Sequence, residues 1–187
     1  MKILSSYKVG VKGASSVFDE TLRLYRNAVE FFIDVINQRW ESDFSSCRNQ
    51  NEAVRLAERL CHSTAKRPMV EFDFARHFYK FPSYLRRAAI AQAYGSVSSY
   101  WSRLNLWKAN PQGKEPGKPK AGHIFPALYR DNMYRRTGRE TARLKVFIRN
   151  TWDWIDIGLR KTDVDYIAKY CSARKEFVPV LRKRGKN

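Results

Sequence analysis

The sequence predicts an α+β fold, a small β-barrel interrupted by a helical insertion, and three observations carry that expectation. From Ile3 to Val11, residues Tyr7, Val9 and Val11 alternate with Ser6, Lys8 and Gly10, the period of a half-buried strand. The next forty residues hold no second strand pattern, only long stripes of apolar residues at helical spacing. Alternation returns late, from Ala142 to Ile148 and from Trp152 to Leu159. A lone strand leaves its ladder groups unpaired, so the partners of the first strand must come from the late segment, with the helices inserted between. The expected boundaries are residues 1–15 for the first barrel strand, 16–110 for the helical lobe and 111–187 for the rest of the barrel.

The first helix is expected after Ser16, with Asp19 as a loose capping box and a stripe through Phe18, Leu22, Tyr25, Val29, Phe32, Ile36 and Trp40. A shorter helix is expected from Asn51 to about Lys66, with Val54, Ala57, Leu60 and Cys61 inward and Lys66-Arg67-Pro68 as its stop. Between it and the next helix, five aromatics fall in the ten residues from Phe72 to Phe81, interleaved with Arg76, His77 and Lys80. Such a segment either stacks on bases or plugs the gap between helices, and the plug accounts for the same letters more simply.

A central helix is expected to begin at Pro82-Ser83, where proline blocks an earlier helix and Ser83 can cap. Its stripe runs through Leu85, Ala89, Ala93, Val97, Tyr100, Leu104 and Trp107. Arg86 and Arg87 sit in its first turn, where the helix dipole is positive and acids are favoured, so an anion nearby would resolve a local conflict. If the two arginines only decorate a solvated helix start, replacing both by Glu should leave the fold intact or slightly stabilised. From Phe74 to Lys114 there is no acid, and seven cations. A Gly/Pro/Lys loop, Asn110 to Lys120, then marks a boundary. Ile124 to Arg136 mixes aromatics and arginines in what reads as a mostly irregular stretch. Two strands joined by a turn at Asn150 follow, then a short helix after Thr162 with Val164, Ile167, Ala168 and Cys171 on one side, and Asp165 at the capping-box position. The last expected strand, Phe177 to Leu181, runs into Arg182-Lys183-Arg184-Gly185, which reads as a hairpin cut at its apex and suggests an N-terminal fragment.

Across 187 residues, 36 Lys and Arg oppose 18 acids, a formal charge of +18 that favours a polyanionic partner. No apolar run of about 18 residues and no signal-peptide core is present, so a membrane partner is not expected and the cytoplasm, with nucleoid association, is the expected location. Cys47, Cys61 and Cys171 lie far apart without a Cys-x-x-Cys pair, which supports neither zinc nor a disulfide framework. No phosphate loop and no nucleophilic triad is legible.

The segment Phe81-Pro-Ser-x-Leu-Arg-Arg-x-Ala-x-x-x-Ala93, the Gly117-Lys-Pro-Lys120 loop and Val178-Pro-Val-Leu-Arg-Lys-Arg-Gly-Lys186 give this chain a resemblance to the N-terminal region of the TnpB family. These are transposon-encoded RNA-guided DNA endonucleases related to type V CRISPR effectors. The resemblance spans essentially the whole chain. It implies that the barrel is a wedge domain, that the insertion is a recognition lobe, and that the partners are a structured guide RNA and duplex target DNA. On that resemblance Lys80, Ser83, Tyr84, Arg86 and Arg87 are expected at the duplex motif. Arg103, Lys114, Lys118, Lys120, Tyr129, Arg130, Arg135, Arg136, Arg139 and Arg143 are expected at RNA. The family cuts with a RuvC-like domain whose carboxylates hold Mg2+. The acids of this chain make no such set, so it is expected to bind without cutting. A stand-alone basic RNA- or DNA-binding module or repressor is the alternative, and a structural ribonucleoprotein subunit a third.

Overall fold

The computed structural model describes residues 9–12, 17–122, 124–126 and 132–170. In chain order it holds β1 (Val11–Lys12), α1 (Val17–Gln38), α2 (Gln50–Cys61), α3 (Phe74–His77), α4 (Ser83–Ala109), β2 (Tyr134–Arg136), β3 (Thr141–Ile148), β4 (Thr151–Leu159) and α5 (Lys161–Tyr170). The fold is α+β, and the chain divides into two compact units, a helical one from Leu22 to Pro126 and a strand unit formed by Met1–Thr21 with Ala127–Asn187.

In the helical unit the apolar stripes become the core. Tyr25, Val29, Phe32 and Ile36 of α1 are buried, as are Leu85, Ala89, Ala93, Val97, Tyr100 and Leu104 of α4. The aromatic segment is a plug: Phe74 stacks on Phe32 at 4.9 Å and on Phe78 at 4.6 Å, and Phe81 meets Phe74 edge-on at 5.5 Å. Trp40, at the end of the α1 stripe, stacks on Trp101 of α4 at 6.3 Å.

Two helix ends differ from the sequence expectation. α2 stops at Cys61 rather than near Lys66. A tight Thr64–Arg67 turn brings Arg67 back, and its guanidinium donates to the carbonyls of Glu58 at 3.2 Å and His62 at 2.8 Å. The basic residue thus ties down the helix end from outside, adding to the bond that the His62 amide already gives the Glu58 carbonyl. At α4 the cap position is Pro82, with Ser83 as the first helical residue and no side-chain cap.

The strand unit holds one antiparallel sheet of order β1-β4-β3-β2. β1 does find its partner late in the chain, Val11 opposite Leu159. Residues 3–8 of the expected first strand and 177–181 of the expected last one lie outside the described residues. Among the described residues the sheet is open rather than a closed barrel: β1 and β2 are its edges, two and three residues long. Tyr134–Arg136, read from sequence as irregular, is strand β2, paired with β3 from Ala142 to Leu144.

β3 and β4 form a hairpin whose two loop residues, Arg149 and Asn150, both have positive φ, at 48° and 59°. Positive φ at both positions is the type I′ pattern, whose twist matches that of the strands. Where β2 has ended, the Phe147 amide donates instead to the Thr21 hydroxyl at 2.8 Å, which accounts for a fully buried threonine on α1. α5 starts one residue before Thr162, so Thr162 lies inside the first turn. Its first-turn acid, Asp163, accepts from the Gly10 amide at 2.7 Å and from Arg160 at 2.9 Å, and these bonds hold its carboxyl below the usual range.

Candidate nucleic-acid interface

The two arginines at the start of α4 have an anion between them, and it belongs to the chain. Glu58 of α2 accepts from Arg86 Nη2 and from Arg87 Nε, both at 3.2 Å. Burial by itself would raise the Glu58 pKa, but hydrogen bonds from Arg87 and Arg86 reverse this and leave the carboxyl below its ordinary value. The arrangement answers the dipole conflict from the side, by packing an acid of one helix against the first turn of another. It also separates the two arginines. The Arg86 side chain is 11% exposed and its buried Nε has no partner, whereas that of Arg87 is 60% exposed. Neither is the solvated decoration of the plainer reading.

Around Arg87 the other residues expected at duplex DNA are on the surface. Lys80 takes a positive φ of 53° and sets its ammonium 5.1 Å from the Tyr79 ring, which is 75% exposed. Ser83 and Tyr84 are exposed. Thus Lys80, Ser83, Tyr84 and Arg87 share one helix start, with Arg86 beneath them as its internal tie.

Of the residues expected at RNA, Arg103 lies exposed on α4 and returns its Nε to the Ser99 carbonyl at 3.2 Å. Lys114, Lys118 and Lys120 are exposed along the loop after α4. That loop is fastened within the helical unit at both ends. Trp107 Nε1 donates to the Gly113 carbonyl at 3.4 Å, while the Ala121 amide donates to Glu30 at 2.7 Å and Arg26 donates to the Ile124 carbonyl at 3.1 Å. Arg26 also covers the Phe125 ring at 5.3 Å. Tyr129 and Arg130 lie outside the described residues.

The strand unit collects the remaining arginines at the β2–β3 connection. Arg136 folds back onto the carbonyls of Gly138 and Arg139 at 3.1 and 2.6 Å, and Arg139 pairs with Asp165 at 2.6 Å. Arg143 meets Asp156 at 3.2 Å with both side chains largely exposed, and Arg135 lies over the Trp154 ring at 4.9 Å. Exposed pairs of this kind contribute little to stability, so exchanging an acid for a phosphate costs the fold little.

Sequence reasoning missed Glu58 because nothing in the local pattern ties it to residues 28 positions away. It also passed over Lys145, Trp152 and Trp154 as binding residues. Lys145 was legible only as a member of the β3 alternation with Leu144 and Val146, and Trp154 only as a member of the β4 alternation with Ile155 and Ile157. Among the described residues no group of three or more His, Cys, Asp or Glu side chains is placed to hold a metal ion. Cys61, beside His62, is buried, and burial pushes its thiol up to about 12, well away from a reactive thiolate. No helix among the described residues is long and apolar enough to cross a membrane.

No solved structure matches the chain. A protein of Aquifex aeolicus (strain VF5) named "Uncharacterized protein aq_aa04" is 31% identical over 133 residues, covering 66% of this chain and 74% of that relative. The profile of the Aq_aa04 family matches residues 5–148. This span takes in the Glu58–Arg86–Arg87 cluster, the lysine loop and strands β2 and β3. With so much of the sequence inside one profile, the chain belongs to the Aq_aa04 family.

Proposed function

We propose that the chain binds structured RNA through its basic surface and contacts duplex DNA through the start of α4, as the guide-holding N-terminal part of an RNA-guided DNA endonuclease of the TnpB kind. The observation that carries the nucleic-acid reading is charge. Even complete pairing of all 18 acids would leave 18 cations without a carboxylate. Exposed lysines on a fastened loop and arginines on a sheet suit a polyanion better than a small neutral substrate.

The TnpB part rests on the sequence resemblance. In that reading the sheet belongs to the wedge, the helical unit is the recognition lobe, and Mg2+ acts in the parent protein's RuvC-like domain. Arg103, Lys114, Lys118, Lys120, Arg135, Arg136, Arg139 and Arg143 face the guide RNA, and Lys80, Ser83, Tyr84 and Arg87 face the duplex. A guide-dependent DNA partner places the protein in the cytoplasm, at the nucleoid.

Binding of an RNA hairpin tests the charge argument. Six to ten phosphate contacts should weaken affinity by roughly 10³-fold or more between about 50 and 200 mM salt, and a flat curve overturns the proposal. Arg87→Ala tests the division of surfaces. It should weaken duplex DNA binding and spare RNA binding, and equal losses on both would remove the distinction.

A further inference from the structure

Alternation in β2, β3 and β4 assigns each residue to one of two faces. Ala142, Leu144 and Val146 are buried on one face, together with Ile157 and Leu159 across the ladder. The other face carries a different set. Arg135 stands opposite Arg143, Arg143 opposite Asp156, Lys145 opposite Trp154 and Phe147 opposite Trp152. Lys12 joins them from β1, opposite Gly158. This outer face therefore holds four cations and one carboxylate, and Asp156 is already shared with Arg143 at 3.2 Å.

It also holds three large aromatic residues. Trp152, Trp154 and Phe147 are only partly buried. Phe147 and Trp152 meet edge-on at 5.5 Å and 66°, and the Arg135 guanidinium sits 4.9 Å from the Trp154 ring. In the helical unit, by contrast, Phe74 and Phe81 are buried in the plug and cannot serve a ligand. On β4, alternate residues are about 6.7 Å apart, so Trp152 and Trp154 set two rings in line along one strand with cations on the neighbouring strands.

We propose that this outer face is a stacking platform for a single-stranded segment of RNA. Bases lie on Trp154 and Trp152, and phosphates meet Arg135, Arg143 and Lys145. The occupant follows from the chemistry. The rings offer flat apolar surface and the cations offer charge, which together match a polyanion whose base faces are uncovered. A duplex hides those faces inside its own stack. The inference rests on the RNA-binding reading and names the form of RNA this surface takes.

The test uses the full chain with two labelled probes, an unstructured oligouridine and a blunt RNA duplex of equal charge. Trp154→Leu keeps an apolar side chain and removes the ring. It should weaken oligouridine binding by roughly 5- to 150-fold, the worth of one base stacked on an aromatic side chain, and change duplex binding by less than about 2-fold. Trp154→Phe should restore most of the loss. Equal effects on both probes, or no effect on either while the melting temperature holds, overturn the platform. Should Trp154→Leu fail to fold, photocrosslinking of thiouridine-substituted oligouridine to the unmodified chain decides. Crosslinks within Thr151–Leu159 support the platform, and crosslinks confined to other segments overturn it. If the unmodified chain binds neither probe at low salt, the RNA-binding reading itself fails, an outcome distinct from unchanged binding in the variant.

Discussion

Glu58 serves two arginines from a position where burial alone would disfavour its charge. Replacing it with Gln should lower stability by about 2 kcal/mol, because Arg86 would keep its buried position without a counter-charge. Urea unfolding at neutral pH measures the loss. The pH dependence has a fixed sign. A carboxyl whose folded pKa lies below its unfolded value of 4.5 contributes stability above that value and loses it as pH falls through the folded pKa. The gap between the native chain and Glu58→Gln should therefore be full at neutral pH and narrow as pH drops below 4.5. The same geometry reverses what the sequence suggests for Arg86 and Arg87. Changing both to Glu would gather three carboxylates at one helix start, so the melting temperature should fall rather than hold.

At the scale of elements, the β3–β4 hairpin and its neighbours show where local pattern suffices. The turn at Asn150 was legible from the alternation on either side, and the observed φ values say which residues fit it best. Converting Arg149-Asn150 to Asn-Gly should raise stability by about 1 kcal/mol, and Asn150→Val should lower it by about 1–2 kcal/mol, since a β-branched residue resists positive φ. Thermal unfolding of the three chains orders them. Thr21→Val preserves shape but withdraws the acceptor from the Phe147 amide. It should cost about 1–3 kcal/mol and accelerate hydrogen exchange at that amide in particular. The helices were equally readable, since most of the stripe residues named for α1 and α4 are buried, although Ala28, Ile33 and Val35 of α1 and Ile90 of α4 are buried beside them. What failed were ends and pairings. α2 stops at Cys61, where the next residue His62 is already extended, and the β2 strand is too short to alternate visibly, so its identity comes only from its partner β3.

For the whole molecule, the sequence conveyed the α+β class and the late partner of β1, because both follow from periodicity and from the need to pair every ladder group. It did not convey the open sheet seen among the described residues, since closure depends on strand lengths and stagger that no local window contains. Nor did it convey which cations are engaged internally. Composition predicts a charged surface, but only three-dimensional neighbours turn Arg86 inward and leave Arg87 out. On the proposed function, the isolated chain with RNA, duplex DNA and Mg2+ or Mn2+ should bind and leave both nucleic acids uncut, as gel analysis would show. Cleavage abolished by alanine at any one carboxylate would reveal a catalytic site in this chain. One further property follows from the lysine loop after α4. Its ends are held at Gly113 by Trp107 and at Ala121 by Glu30, so the intervening segment samples far fewer shapes than a free tail of equal length. A ligand meeting Lys114, Lys118 and Lys120 thus encounters an arch already spanned, and little configurational freedom remains to be lost when they touch. Releasing the far end with Glu30→Ala should weaken polyanion binding with a less favourable TΔS in calorimetry, against the modest electrostatic gain from removing one carboxylate.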